Sequence, residues 1–116
     1  MNTRHLLSSL AFGTALLAGG HAVAAAPDVP SVVIVHGAFA DGSDFAKVIA
    51  LLQAQGIHVA AVQNGLESLA GDVATTRRVI DDQKGKVVLV GHSWGGAVIT
   101  DAGQDDKVAS LSLIHI

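Results

Sequence analysis

The sequence predicts an α/β fold: a mainly parallel sheet with helices on both faces. Three observations lead there. Four short runs rich in apolar residues recur along the chain, the first of them continuously β-branched, and stretches of helical length with one apolar face separate them. Alternation of this kind produces right-handed βαβ units, which lay strands parallel and helices over both sides. The runs are mostly continuous rather than alternating, as suits strands buried on both faces. Finally, a glycine-rich turn, Gly91-His92-Ser93-Trp94-Gly95-Gly96, follows the third run directly.

Before the first strand comes a leader. Arg4 and His5 are basic, residues 6–18 are apolar apart from Ser8, Ser9 and Thr14, and Ala22-Val23-Ala24 is a small-x-small site. This is the three-part pattern of a secretory signal peptide over residues 1–24, with an apolar core too short to span a bilayer comfortably. The expected product is cleaved after Ala24, secreted or periplasmic, and keeps no stable membrane anchor. Residues 25–30 form a lead-in in which Pro27 and Pro30 discourage regular structure.

Residues 31–36 make the first strand, and residues 37–43 a loop of small residues. Asp44 is placed to cap a helix through Gln55, with Phe45, Val48, Ile49 and Leu52 on one face and Gly56 as its stop. Residues 57–62 form the second strand, and Asn64-Gly65 a turn. A second helix over 68–83 carries a stripe of Leu69, Val73, Thr76 and Ile80, with Arg77, Arg78, Asp81 and Asp82 mostly off it. Residues 87–90 are the third strand and 94–102 the third helix, where Gly95 and Gly96 permit close packing on the sheet. Residues 108–114 suit a fourth strand.

Composition narrows the function. A net charge of −3 gives no reason to expect nucleic acid as a partner. Without cysteine the chain has neither a disulfide nor a thiol nucleophile. The histidines lack the spacing of a metal site, and neither glycine-rich phosphate motif occurs, so no metal and no cofactor are expected. A small-molecule substrate is the expected partner. Nothing in the sequence bears on oligomeric state.

Gly-x-Ser-x-Gly at a strand end is the pattern of a nucleophile elbow. Serine attacks poorly unless a base takes its proton, and the turn answers the geometric half of that problem by projecting the hydroxyl. Ser93 is therefore the expected nucleophile, with Gly91 and Gly95 as the small neighbours the turn requires. The Trp94 N–H, at a helix N-terminus, suits the negative charge that develops on a reacting carbonyl oxygen. In a parallel sheet His36-Gly37 ends on the same edge as Ser93. Gly37 lets following N–H groups face the pocket, Ala38 being the expected second donor and Phe39 the alternative. His36 is expected to brace that loop, because a general base comes after the nucleophile in this chain order. His92 is expected to be a wall of the site, and His58 structural. His115 is a poor candidate base. Asp41 and Asp44 are read as loop and cap residues, and Asp101, Asp105 and Asp106 as solvated charges.

The segments Val33-Ile34-Val35-His36-Gly37-Ala38-Phe39 and Val88-Leu89-Val90-Gly91-His92-Ser93-Trp94-Gly95-Gly96, at their spacing, resemble the α/β-hydrolase superfamily. The resemblance is narrowest to small bacterial esterase-like members, which are similar to hydroxynitrile lyases and methyl esterases. It implies Ser93 as nucleophile, Ala38 and Trp94 as oxyanion donors, and residues 31–109 as the N-terminal half of the domain. Such proteins continue through further strands, a cap, an acid and a late histidine, so the fold is expected to be incomplete at the C-terminus. Residues 110–116 depart from the family's pattern and are read as a tail of doubtful origin, with residues 111–116 resembling translated sequencing-adapter read-through. The implied activity is hydrolysis of an ester or related acyl bond by the full-length protein, the fragment alone being inactive. A lyase of the same fold and a non-catalytic ligand-binding member are the alternatives.

Overall fold

Each of the four apolar runs forms a strand. The computed structural model describes residues 29–114, so the signal-peptide reading, most of the lead-in, and His115 lie outside the described residues. The elements are β1 (Ser31–Val35), a 3₁₀ turn (Gly42–Phe45), α1 (Ala46–Ala54), β2 (Val59–Val62), α2 (Leu69–Asp81), β3 (Val87–His92), α3 (Trp94–Ala102) and β4 (Val108–Ile114). The sheet runs β2-β1-β3-β4 and every pairing is parallel.

This order settles where the helices go. The chain steps one way from β1 to β2, then the other way from β2 past β1 to β3, and on to β4. With right-handed crossovers α1 covers one face while α2 and α3 share the other. Accordingly α2 and α3 pack on each other. Beneath them Val33, Val35, Val62, Val87 and Leu89 meet Val73, Ile80, Val98, Ile99 and Ala102 in one core.

Several boundaries differ from those the sequence predicts. The first helix starts at Ala46, not Asp44, and none of its residues is buried. Ahead of it Asp41 caps the 3₁₀ turn, its carboxylate accepting the Ser43 N–H at 2.7 Å, while Asp44 lies within that turn. β2 omits Ile57 and His58. β3 runs two residues further than its apolar run, because Gly91 stays paired to Val35 and Leu113, and His92 to Ile114. α2 is capped by Ser68, whose side chain accepts the Gly71 N–H. Leu69 is exposed rather than part of the buried stripe. It opens the helix, and the stripe is covered only from Asp72 onward, as Asp72, Val73, Thr76 and Ile80.

β4 joins β3 through Ile114, with one irregularity in register between Val87 and Val88 that accommodates Ala109 as an extra residue. Among the described residues no helix is long and apolar enough to cross a membrane.

Candidate active site

β1 and β3 are neighbours whose following helices depart to opposite faces. In open α/β sheets this divergence leaves a crevice at the carboxyl ends of the two strands, where ligands bind. The loop after β1 brings His36, Gly37, Ala38 and Phe39 to that crevice, and the turn after β3 brings Ser93. The two segments touch: a Cβ built on Gly37 would lie 3.2 Å from both Ser93 Cβ and His92 Nδ1. The sequence-predicted residues of both loops thus meet at one place.

Ser93 occupies the turn between β3 and α3 with φ 53° and ψ −117°. A non-glycine residue in this region costs on the order of 1–3 kcal/mol and persists only where its surroundings impose it. Here the surroundings are close-packed backbone. A Cβ on Gly91 would lie 2.5 Å from the Gly95 carbonyl oxygen, and one on Gly95 would run into the carbonyls of Val35 and His36. The Gly96 N–H donates to the Ser93 carbonyl at 2.8 Å, closing the turn. Serine at a helix start ordinarily caps the helix with its hydroxyl. Ser93 makes no such bond and is exposed, leaving Oγ free of helix capping. Trp94 opens α3, so its N–H has no partner within the helix.

His36 is buried, and both ring nitrogens are engaged. Nδ1 lies 2.8 Å from the Gly37 carbonyl oxygen, which can only accept, so Nδ1 carries the proton. Nε2 then accepts the Asn64 N–H at 2.9 Å, and Asn64 Nδ2 returns a bond to the His36 carbonyl at 3.1 Å. The ring ties the β1 loop to the end of β2. Beyond it, Ala38 is exposed, and Phe39 is fully exposed with φ 60°. His92 meets the Phe45 ring edge-on, with centroids 6.1 Å apart.

The remaining candidates fall elsewhere. His58 lies just ahead of β2, at the opposite edge of the sheet. The Asp41 carboxyl is held below its ordinary value by hydrogen bonds from the Ser43 side chain and backbone N–H. Asp101 pairs with Arg77 at 2.9 Å on the surface, where such pairs add little. Asp105 accepts the Lys107 N–H, and the Asp106 carbonyl accepts from Lys86. Among the described residues no group of His, Cys, Asp or Glu could hold a metal ion.

A cavity of about 890 Å³ lies at the amino ends of the strands, lined by Ser31, His58, Lys86, Lys107 and Ala109 among others. Two of its lysines serve the backbone: Lys107 Nζ donates to the carbonyls of Asp81 and Gln83, and Lys86 Nζ to that of Asp106. It stands at the edge away from Ser93.

Two residues of the crevice escaped the sequence reading. Asn64 was legible only as a turn former. Asp72 is 2% exposed, and its carboxylate accepts the Trp94 indole N–H at 2.8 Å and the Leu66 N–H at 3.1 Å. A signal existed, since Asp72 sits four and eight residues before Thr76 and Ile80, on the buried stripe. An acid placed there must find partners.

Comparison with known proteins agrees with this geometry. A family model described as the alpha/beta hydrolase family matches residues 32–115. A pyrethroid hydrolase from Sphingobium wenxiniae is 34% identical over an alignment of 96 positions that covers 72% of this chain and 34% of that protein. A crystal structure of a pyrethroid hydrolase superposes with a TM-score of 0.67 at 27% identity, over 74% of this chain and 39% of that one. An extracellular alpha/beta-hydrolase from a Paenibacillus species gives a TM-score of 0.62 at 20% identity, over 75% of this chain and 40% of its own, a likeness of fold alone. The chain spans well under half the length of each.

Proposed function

Because this chain belongs to the alpha/beta hydrolase family, we propose that the full-length protein is a serine hydrolase acting on carboxylic esters, with Ser93 as its nucleophile. The observation that carries this is the Ser93 turn: a strained, exposed serine at the carboxyl edge of the sheet, not committed to capping its helix and set against the Gly37 loop.

In this mechanism Ser93 Oγ adds to the acyl carbon as its proton passes to a base. The carbonyl oxygen becomes an oxyanion, received by the N–H groups of Ala38 and Trp94. Collapse expels the alcohol, which takes up the proton, and water then hydrolyses the acyl-serine by the same route in reverse. His36 is not that base, since its Nε2 accepts from Asn64 and its Nδ1 proton is held by Gly37. His58 is at the other edge. We place the base and its acid in parts of the full-length protein outside the described residues, so that this chain alone is expected to be essentially inactive.

The likeness to a pyrethroid hydrolase suggests a hydrophobic ester as substrate. Phe39, fully exposed beside the crevice, offers an apolar contact for one. Export through cleavage after Ala24 belongs to the same proposal, and the N-terminal sequence of the mature protein tests it.

The decisive experiment is Ser93→Ala in the full-length protein, assayed on an activated ester and on a pyrethroid. Loss of hydrolysis by at least about a thousandfold, together with loss of labelling by a serine-directed fluorophosphonate, is expected. Retained turnover in Ser93→Ala would rule the serine mechanism out.

A further inference from the structure

Asp72 of α2 joins the start of α3 to the loop after β2 through one buried carboxylate. Oδ2 accepts the indole N–H of Trp94, the residue that opens α3, and Oδ1 accepts the backbone N–H of Leu66 in the loop after β2. Leu66 itself is held at φ 58°, a conformation unfavourable for a branched side chain, as Ser93 is at φ 53°. Two of the three described non-glycine residues at positive φ, Leu66 and Ser93, are thus tied, directly or through the next residue, to the same acid, the third being Phe39.

We propose that Asp72 is a positioning residue for the elbow. By gripping the Trp94 indole it fixes the peptide plane between Ser93 and Trp94, and so aims the Trp94 backbone N–H at the reacting oxygen. By holding Leu66 it sets the loop after β2 along the mouth of the crevice. The role rests on the proposed part of the Trp94 N–H in receiving the oxyanion. Asp72 never touches substrate. It acts through the indole, which anchors the one side chain whose main-chain donor must be aimed. Small errors in such aim are costly, because a displacement of about 1 Å in a catalytic group can lower rates on the order of a hundredfold. The carboxylate serves both donors at once because it offers acceptors only. An amide of the same shape presents an NH₂ group to one of them.

The test uses the full-length protein and three variants: Trp94→Phe, Asp72→Asn and the double variant. Trp94→Phe keeps the backbone N–H and an aromatic ring while removing the indole donor and part of the ring's packing against the core, so it reports on the contact even if Asp72→Asn folds poorly. Each single substitution is expected to lower kcat by about ten- to a hundredfold with KM changed less than about threefold. The double variant should lose no more than the worse single, since both cut the same link. A Trp94→Phe enzyme with wild-type kcat would overturn the proposal, as would losses that multiply in the double variant or a fall in thermal stability with kcat intact. Ser93→Ala, run alongside, separates the two failures. If it retains hydrolysis, the serine mechanism has fallen and this role falls with it. If it is inactive while Trp94→Phe turns over normally, only the role of Asp72 is refuted.

Discussion

On the face covered by α2 and α3, Val33, Val35, Val87 and Leu89 are completely sealed from solvent. Across the sheet, α1 buries none of its nine residues, and Leu51 and Val48 lie open. The outer strand β4 is similarly uncovered, with Leu111, Leu113 and Ile114 exposed. Among the described residues, two helices that pack on each other roof one side, whereas one helix lies on the other. A layered α/β fold needs cover on both faces of its sheet. The sealed side is also where the elbow is anchored. α3 carries Trp94 directly into that core, and α2 supplies Asp72. The Gly37 loop, by contrast, leads into the open-side helix and is tied down by His36 and Asn64 instead. The serine is thus framed by the more fully packed of the two faces.

The contrast can be broken by substitution. Its strongest test is Leu89→Ala, which removes a fully buried side chain from the α2–α3 core. A loss of about 2–5 kcal/mol is expected in urea unfolding of this chain. A loss below about 1 kcal/mol would mean that the core is looser than its burial implies. Leu51→Ala, on α1, should change stability by no more than about 0.5 kcal/mol in the same assay. A cost comparable to that of Leu89→Ala would show that α1 finds a partner, and the two faces would cease to differ.

The smallest effect concerns the turn that leads into α1. Asp41 has its carboxyl lowered by the Ser43 hydrogen bonds, so its ionised form is favoured in the folded state. Its contribution is present above the ordinary carboxylate value and disappears as pH falls through the lowered one. Asp41→Ala should therefore be slightly less stable than the parent at neutral pH, with the gap closing in acid. A gap that widened on acidification would contradict this sign.

Much of the architecture was legible because its signals are local. Apolar runs marked all four strands, the first of them continuously β-branched, and the third helix falls on Trp94–Ala102 as its pattern predicts. The glycine spacing around Ser93 was legible for the same reason, since the turn passes Gly91 close to the Gly95 backbone, although the carbonyls that Gly95 must clear, those of Val35 and His36, lie far off in sequence. Less was visible where partners are far apart in sequence. His36 and Asn64 are 28 residues apart, and Asp72 and Trp94 are 22 apart. The apolar stripe on α1 was also legible, but its exposure was not, because periodicity tells which face is apolar and not whether anything covers it.

By itself, then, the sequence determined the strand–helix alternation, the Ser93 turn and the loop that would meet it, since each follows from side-chain volume and backbone freedom over a few neighbouring residues. Only the tertiary structure decided the sheet order β2-β1-β3-β4 and with it the crevice between β1 and β3. It also decided the tautomer of His36 and the partners of Asp72. Those depend on which distant donors and acceptors the folded sheet brings within hydrogen-bond reach, and a buried polar group takes whichever partner the packing supplies.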